Sequence, residues 1–390
     1  MRKSRALIGV AVITLVGLLL SCGSSSTNTK PGPSGTAALF VATQGDKKVA
    51  SFSVNTADGT ATAKGTAVDT GDFPTAMLLT PKGDAVFVVN RDSGDISCYS
   101  VQSDGTLKAA GTTQVADFNK PAALNPVGLA TADDGKFLFV LSQGVFTAQD
   151  SSVSVFSISG ASLSPMGSPV EAGDDATGIA VTPDGKYLFV TNRAAGEILG
   201  FTVDGSGGLT RIPGSFTAGV APTGLAITPE NSSNPVPQFF LYVANAGSGN
   251  VSVFEICDKA AAECLSQVPG ALLDNVTGSP FSVGTEPVAL LLTPTTGRYL
   301  YVVNKGSNQV SEFKTSPANG VISALGSASI STGSTPLAIA ETSSHQNVFV
   351  ANSGGSSVSS MIIADTDTGV LGAGGGLLST SGVPVAVAVK

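Results

Sequence analysis

The stretch VTPDGKYLFVTN, at residues 181–192, decides the fold. Two short apolar runs flank PDGK, and an Asp-Gly pair between such runs favours a tight turn joining antiparallel strands. Gly accepts a positive φ at little cost, and Asp caps the turn. The same hairpin returns as LTPKGDAVFVVN at 79–90, ATADDGKFLFVLS at 130–142 and LLTPTTGRYLYVVN at 291–304. The repetition indicates one supersecondary unit used several times.

The repeat can be counted from the end of its second strand. The seven copies are FVAT 40–43, FVVN 87–90, FVLS 139–142, FVTN 189–192, YVAN 242–245, YVVN 301–304 and FVAN 349–352. They are spaced 47, 52, 50, 53, 59 and 48 residues apart. Upstream of each copy except the first lies an apolar strand that begins at Pro or a substitute, such as PTAMLLT at 74–80 and PVALLLT at 287–293.

The strand that the first copy lacks appears at the other end of the chain, as VPVAVAVK at 383–390. Seven units with one strand moved from the start to the finish describe a closed ring. We therefore predict an all-β fold: a seven-bladed β-propeller of four-stranded antiparallel blades, in which 383–390 joins the N-terminal blade.

The repeat also resembles a known family. FVTN, YVAN, YVVN and FVAN after PDGK-type turns resemble the YVTN repeats of surface propellers. The whole pattern is similar to the lactonase-like seven-bladed propellers, which include 6-phosphogluconolactonases, and the resemblance covers 37–390. It implies the propeller fold and, as an activity, hydrolysis of a sugar lactone in the central funnel.

The N-terminal segment predicts export. Residues 1–21 combine a basic start with an apolar run that is too short to span a bilayer, which is typical of a signal peptide. The run ends in Leu-Leu-Ser-Cys, which resembles the bacterial lipobox and would make Cys22 the lipidated residue; an ordinary secretory signal is the alternative. Residues 22–36 then form a flexible Ser/Gly/Pro-rich tether, and 37–390 form the propeller.

Charge limits the partners. Residues 1–21 hold three of the 20 basic residues and none of the 28 acidic ones, so the mature chain would carry a net charge of −11. An acidic surface argues against nucleic acid. We expect a monomeric propeller, anchored by lipid to the cell envelope, in the outer rather than the inner membrane, with an envelope protein or a carbohydrate as partner.

The four cysteines have different expected states. Cys22 belongs to the lipobox, and Cys98 replaces an aliphatic strand residue and should be a buried, inert thiol. Cys257 and Cys264 flank a short loop and could form a disulfide in an exported protein, or remain two free thiols.

Polar residues of the repeat that would open on one face of the ring form the candidate site. The loops before the first strand of each blade carry Asp72, Asn125, Asp174, Asp175 and Glu286, and those after the second strand carry Arg91, Gln143, Arg193 and Lys305. One interpretation is a polar pocket for a sugar, lactone or anion, in which Arg91 and Arg193 bind the anion and Asp175 or Glu286 acts as a base. The other is a set of ion pairs on a solvated rim.

Absent residue types narrow the chemistry. The single histidine, His345, aligns with the Gly of the hairpin turn, on the face away from the funnel, so Ser-His-Asp and His-based metal sites are not expected. We expect no metal and no cofactor. Calcium binding by the Asp-Gly turns is an alternative reading of those Asp residues, but turn chemistry already explains them.

Three functions remain. The leading expectation is a lipid-anchored propeller that acts as a non-catalytic binding or scaffold module. The alternative is a lactonase-like hydrolase that uses the funnel carboxylates and arginines, with Asp175, Glu286 and Arg193 as the catalytic candidates. A structural surface-coat protein is the third. An insertion at 230–238 and an excursion at 257–280 make the fifth blade the expected place for partner contacts.

Overall fold

The computed structural model describes residues 35–115, 125–144, 151–229, 239–257, 268–273, 276–293, 297–363 and 365–390. Their strands form seven antiparallel sheets, each ordered from an innermost strand that lines the axis to an outermost strand at the rim. The prediction of a seven-bladed propeller is confirmed. Blade 1 is closed as predicted, by β31 (Val383–Val389) beside β1 (Thr36–Gln44), β2 (Lys48–Asn55), β3 (Ala61–Ala63) and β4 (Val68–Asp69).

The other six blades each use consecutive strands, listed here from the axis outward. Blade 2 consists of β5 (Pro74–Leu79), β6 (Ala85–Asn90), β7 (Asp95–Val101) and β8 (Leu107–Gln114). Blade 3 consists of β9 (Asn125–Ala130), β10 (Phe137–Gln143), β11 (Ser152–Ser159) and β12 (Ser162–Glu171). Blade 4 consists of β13 (Ala176–Val181), β14 (Tyr187–Asn192), β15 (Glu197–Val203), β16 (Leu209–Arg211) and β17 (Phe216–Thr217).

Blades 5 to 7 follow the same order. Blade 5 consists of β18 (Pro222–Ile227), β19 (Phe239–Asn245), β20 (Asn250–Ile256), β21 (Leu272–Leu273) and β22 (Phe281–Ser282). Blade 6 consists of β23 (Pro287–Leu292), β24 (Tyr299–Asn304), β25 (Gln309–Thr315) and β26 (Ile322–Ser331). Blade 7 consists of β27 (Pro336–Glu341), β28 (Asn347–Asn352), β29 (Ser357–Ile363) and β30 (Leu371–Ser379), with a 3₁₀ turn at Ser353–Gly355.

Three blades differ from the predicted four strands because their outermost strand is split into two short pieces. In blade 4 the split falls at Pro213-Gly214, where Pro lacks a backbone N–H and Gly takes a φ of 86°. In blade 1 it falls beside Gly65, with a φ of 66°. These breaks lie at the rim, so the inner strands that carry the candidate site keep the regular pattern.

The two inner strands of every blade are buried on both faces, which explains why they show no clean alternation of apolar and polar residues. β5, β6, β13, β14, β23, β24 and β28 are buried at every position. Hydrogen bonds between neighbouring blades connect the innermost strands. The hydroxyl group of a Thr in one blade donates to the backbone carbonyl of a Pro in the next blade, as from Thr75 to Pro126 at 2.9 Å, from Thr177 to Pro222 at 2.9 Å and from Thr223 to Pro287 at 3.0 Å. The channel wall is therefore a rigid support for the loops at its mouth.

The Asn that ends the YVTN-like repeat is buried and has a structural role. In blade 6 the Asn304 amide donates to Ser311 Oγ at 2.9 Å, and its Oδ1 accepts from the Gly284 N–H at 3.0 Å. Asn245 makes the same two bonds in blade 5, to Ser252 and from Gly219. Each such Asn ties the end of one strand to the next strand and to the loop that begins the blade.

We expect Asn304→Ser to lower the free energy of unfolding by about 2–4 kcal/mol, because the shorter side chain leaves buried polar groups without partners. Blade 3 shows the effect naturally: it has Ser142 at this position, and the Ser142, Ser152 and Ser154 hydroxyls lack a partner among the described residues. Urea unfolding measures the change, and Asn319→Ser, in an exposed turn, is the matched control. Equal stabilities of the two variants would contradict the role of Asn304.

Candidate functional site

Two residues in each blade stand at one mouth of the channel, and we call the full set the funnel ring. One directly precedes the proline of the innermost strand, or Ala176 in blade 4, and the other directly follows the last residue of the YVTN-like repeat. The first set is Val383, Phe73, Asn125, Asp175, Ala221, Glu286 and Thr335, and the second is Gln44, Arg91, Gln143, Arg193, Ala246, Lys305 and Ser353, both in blade order. The cations therefore occupy blades 2, 4 and 6.

Five members of the first set have left-handed backbones although none is glycine. The φ angles are 58° for Phe73, 50° for Asp175, 52° for Ala221, 50° for Glu286 and 53° for Thr335. Such a conformation costs about 1–3 kcal/mol per residue and persists where the surroundings impose it. The same contact holds all five residues in this conformation. The backbone carbonyl of each accepts a hydrogen bond from the backbone N–H of the second-set residue of its own blade, as from Lys305 to Glu286 at 2.9 Å. The two sets are thus held together.

Blade 4 carries the most fully bonded carboxylate of the ring. Arg193 donates from Nε to Asp175 Oδ2 at 2.7 Å and from Nη2 to Asp175 Oδ1 at 2.9 Å. Gln143 of blade 3 donates to the same Oδ1 at 2.5 Å. Both oxygens of Asp175 are therefore occupied, and this carboxylate is better suited to positioning Arg193 than to accepting a proton.

Blade 6 carries a more open pair. The Lys305 Nζ lies 3.5 Å from Glu286 Oε2, and the side chain of Glu286 is 53% exposed whereas that of Lys305 is 20% exposed. Glu286 thus offers solvent-facing carboxylate oxygens beside a largely buried cation. Of the two carboxylates proposed from the sequence as bases, the geometry favours Glu286, since a general base must have an oxygen within reach of the proton that it takes.

Blade 2 is arranged differently from the sequence-based expectation. Asp72 lies one residue outside the ring, and its carboxylate pairs with Lys47 of blade 1 at 2.6 Å rather than with Arg91. Arg91 instead lies over the ring of Phe73, with Cζ 3.7 Å from the ring centroid, and its Nε donates to Asp92 at 2.8 Å. The sequence did not single out Phe73, Lys47 and Asp92, because an apolar residue before the proline and charged residues in neighbouring turns carry no signal for an arginine site.

The remaining predicted residues have backbone roles. Asn125 begins β9 and lies opposite Gln143 in the sheet register. Asp174 directly precedes Asp175, and the side-chain amide of Asn192 lies against its backbone N–H and carbonyl. Their part in ligand binding stays a prediction.

The described ranges hold neither a cluster of metal ligands nor a membrane-spanning helix. No group of three or more His, Cys, Asp or Glu side chains among these residues is placed to hold a metal ion. None of them forms a helix of the length and apolar character that a membrane span requires. The predicted signal peptide and Cys22, and the insertion at 230–238, lie outside the described residues.

The two cysteines among the described residues, Cys98 and Cys257, agree with the expectations from the sequence. Cys98 is buried and free, and burial raises the pKa of its thiol to about 11, so it is unreactive at neutral pH. Cys257 is buried and disulfide-bonded. Its predicted partner, Cys264, lies outside the described residues, so the pairing itself stays a prediction.

His345 takes the glycine position of the blade 7 hairpin, with a φ of 56°, as the alignment predicted. Its side chain is 27% exposed, and its Nδ1 lies 3.0 Å from Oε1 of Glu341, whose side chain is fully buried. Burial raises the pKa of Glu341 above its ordinary value, and His345 offsets only part of this effect. Tyr301 interacts electrostatically with both Glu341 and Glu312, and burial also raises the pKa values of Tyr301 and Glu312.

This buried carboxyl gives a pH-dependent prediction. Because its pKa is higher in the folded than in the unfolded chain, stability that is present below the unfolded pKa, about 4.3, is lost as pH rises through the folded pKa. We expect Glu341→Gln to remove that loss, so that the variant gains stability relative to the wild type between pH 4 and pH 7. Urea unfolding across this range measures the difference, with the exposed Glu171→Gln as control. A difference that does not change with pH would contradict the prediction.

The model of the family described as lactonase, 7-bladed β-propeller, matches residues 33–125, 160–268 and 274–389. The chain belongs to this lactonase family. The match includes Phe73, Asp175, Glu286 and all three cations of the funnel ring.

Individual relatives agree with this assignment. The 6-phosphogluconolactonase of Yersinia pestis is 24% identical over 262 residues, which cover 64% of this chain and 69% of that protein. The structure of the periplasmic gluconolactonase of Pseudomonas aeruginosa matches with a TM-score of 0.68 and 20% identity, covering 91% of this chain and 99% of that one. A Bacteroides uniformis protein provisionally described as a 6-phosphogluconolactonase matches with a TM-score of 0.71, 20% identity and coverage of 91% and 99%. At this identity the structural matches show the shared fold.

These findings correct the leading expectation from the sequence. A non-catalytic binding or scaffold module is wrong, and the alternative, a lactonase-like hydrolase, is the better account of a chain that belongs to the lactonase family. The expectation gave too much weight to the single histidine. A lactone needs only a base for water and a cation for the developing oxyanion, and carboxylates and lysine or arginine can supply both.

Proposed function

We propose that this protein hydrolyses a lactone at the funnel ring, with Glu286 as general base and Lys305 as the cation that stabilises the oxyanion. The observation that carries the proposal is the lactonase family match, which spans the loops that hold both residues. The names of the relatives point to aldonolactones, the cyclic esters of sugar acids, as substrates.

The geometry of blade 6 supports these roles. Glu286 would take a proton from water as the water oxygen bonds to the lactone carbonyl carbon, giving a tetrahedral oxyanion beside Lys305 Nζ, 3.5 Å from the carboxylate. Breaking the ring C–O bond would then restore the carbonyl, and the proton held by Glu286 would pass to the leaving oxygen. The products are the open hydroxy acid and a regenerated carboxylate.

We also propose that the reaction takes place outside the cytoplasm. The support is the sequence of residues 1–21, the Cys22 lipobox and the tether that follows, together with the buried disulfide of Cys257, since disulfides persist in oxidising compartments. Globomycin, which blocks lipoprotein signal cleavage, should cause the precursor to accumulate, and Cys22→Ala should abolish labelling by a palmitate analogue. Unchanged labelling of Cys22→Ala would contradict the anchor.

The activity is tested by proton release from D-glucono-1,5-lactone and 6-phosphoglucono-1,5-lactone with the purified full-length chain. We expect turnover that is proportional to protein concentration and that exceeds the spontaneous rate. The heat-denatured protein sets that spontaneous rate, because these lactones open in water unaided. Equal rates with native and denatured protein on both lactones would overturn the proposal.

A further inference from the structure

Arg91 differs from the other two cations of the funnel ring in the N–H donors that remain without a hydrogen-bond partner. The Nε and Nη2 of Arg193 both donate to Asp175, so one edge of that guanidinium is committed to a carboxylate. Lys305 faces Glu286. Arg91 donates a side-chain hydrogen bond only from Nε, to Asp92, and neither of its Nη atoms donates one to any residue that the structure describes. Arg91 therefore presents an open pair of N–H donors.

The open guanidinium is held in place by three contacts. Its Cζ lies over the Phe73 ring, 3.7 Å from the centroid, its Nε donates to Asp92, and its backbone N–H donates to the Phe73 carbonyl at 2.9 Å. The Arg91 side chain is only 22% exposed. A cation–π stack and a bonded Nε remove most of the rotamer freedom that a surface arginine has, so a ligand would not have to order it.

The backbone of Phe73 makes this arrangement possible. Its φ of 58° is a left-handed conformation that a bulky residue rarely takes, and the equivalent positions in blades 4 to 7 show the same conformation with Asp175, Ala221, Glu286 and Thr335. Among these five residues only Phe73 offers an aromatic face to the second-set residue of its blade. The repeat thus supplies the backbone conformation, and blade 2 alone among these five blades uses it to place an aromatic ring against an arginine.

We propose that Arg91, positioned by Phe73, selects lactones that bear an acidic substituent, and that the ligand group is a carboxylate or a phosphate. The proposal rests on the proposed hydrolase function. A planar fork of N–H donors matches the two oxygens of either anion, whereas a neutral hydroxymethyl group can use only part of it. The predicted mature chain is strongly acidic, so a preorganised cation at the channel mouth also attracts an anionic substrate against the overall field.

The test compares three lactones: neutral D-glucono-1,5-lactone, 6-phosphoglucono-1,5-lactone and the carboxylate-bearing D-glucaro-1,4-lactone. We expect the wild type to prefer one of the acidic lactones, and the preferred one identifies the anion. Arg91→Gln should lower the ratio of kcat/KM for that lactone over the neutral one by about 10- to 100-fold, mainly through KM. Arg91→Lys should lie between, because it keeps the charge and loses the fork.

Phe73→Asn tests the positioning role, because Asn tolerates the left-handed backbone and removes the aromatic platform. We expect it to lower the same ratio by about 3- to 10-fold. His345→Asn also replaces an aromatic ring by Asn at a left-handed backbone, but at the opposite end of the strands from the funnel ring, and should leave the ratio unchanged. A ratio that none of the Arg91 and Phe73 variants alters would overturn the inference while leaving the hydrolase function intact.

A measurement without turnover separates the two proposals. Titration calorimetry with inorganic phosphate should show binding to the wild type that Arg91→Gln weakens at least about tenfold. If no lactone is hydrolysed but this difference is found, the proposed function fails and the anion site stands. The anion site fails if lactones are hydrolysed, phosphate binds the wild type and Arg91→Gln equally, and the two proteins show the same ratio of kcat/KM for acidic over neutral lactones.

Discussion

Glu286→Gln is expected to lower kcat for lactone hydrolysis by about 10²- to 10⁴-fold, the usual contribution of a positioned general base. The amide keeps the size of the side chain but cannot take a proton from water. Lys305 would remain beside it, so substrate binding should be affected less than kcat. Proton-release assays with saturating lactone measure the change, and circular dichroism checks that the variant is folded.

Asp134→Asn is the matched control for Glu286→Gln. Asp134 lies in the first hairpin turn of blade 3, at the opposite end of the strands from the funnel ring, where it pairs with Lys136 at 2.8 Å and caps the Lys136 N–H. An Asn side chain can make the same cap, so we expect activity close to that of the wild type. Hydrolysis that survives in Glu286→Gln would remove Glu286 as the base and direct attention to Asp175.

Removal of residues 383–390 is expected to abolish cooperative folding. β31 is the innermost strand of blade 1 and pairs with β1 from Leu39 to Gln44, and Val385, Ala386 and Val387 are at most 2% exposed. Its buried side chains alone contribute about 5 kcal/mol or more, which approaches the whole stability of many domains, about 5–15 kcal/mol. The truncated chain would also expose the full edge of β1 and the faces of two neighbouring blades.

Complementation in trans makes this prediction specific to ring closure. The synthetic peptide VPVAVAVK, added to the truncated chain, should restore a cooperative urea transition, whereas the same peptide with Val387→Asp should not, because it would bury a charge. Urea unfolding followed by circular dichroism measures both. A truncated chain that unfolds with the midpoint of the wild type and needs no peptide would show that blade 1 is stable without its closing strand.

Part of the candidate site could be predicted from the sequence because the repeat fixes its positions. Asp175, Glu286, Arg193 and Lys305 stand at constant offsets from the proline of the repeat, which is replaced by Ala176 in blade 4, and from the last residue of the YVTN-like motif. Any residue at these offsets must lie at the same mouth of the channel. The pairs Asp175–Arg193 and Glu286–Lys305, which were expected on one face, are in contact in the structure.

Other contacts could not be predicted, because they cross from one blade to the next or depend on side-chain direction. Gln143 reaches Asp175, and Lys47 reaches Asp72, each from the preceding blade. Which partner an acidic residue takes depends on shifts of an ångström or two between segments that are distant along the chain, and repeat spacing carries no information on this scale. The same limit hid the Phe73–Arg91 stack, which requires a left-handed backbone at Phe73.

The sequence by itself determined the fold class, the number of blades and the closing strand. Hairpin turns and buried apolar runs are local signals, and a ring of equivalent units follows from counting them. Only the tertiary structure decided which carboxylate is committed and which is open, and that Arg91 keeps its outer donors unused. These properties arise from distances and angles between neighbouring blades, which are set when seven sheets pack together around one channel.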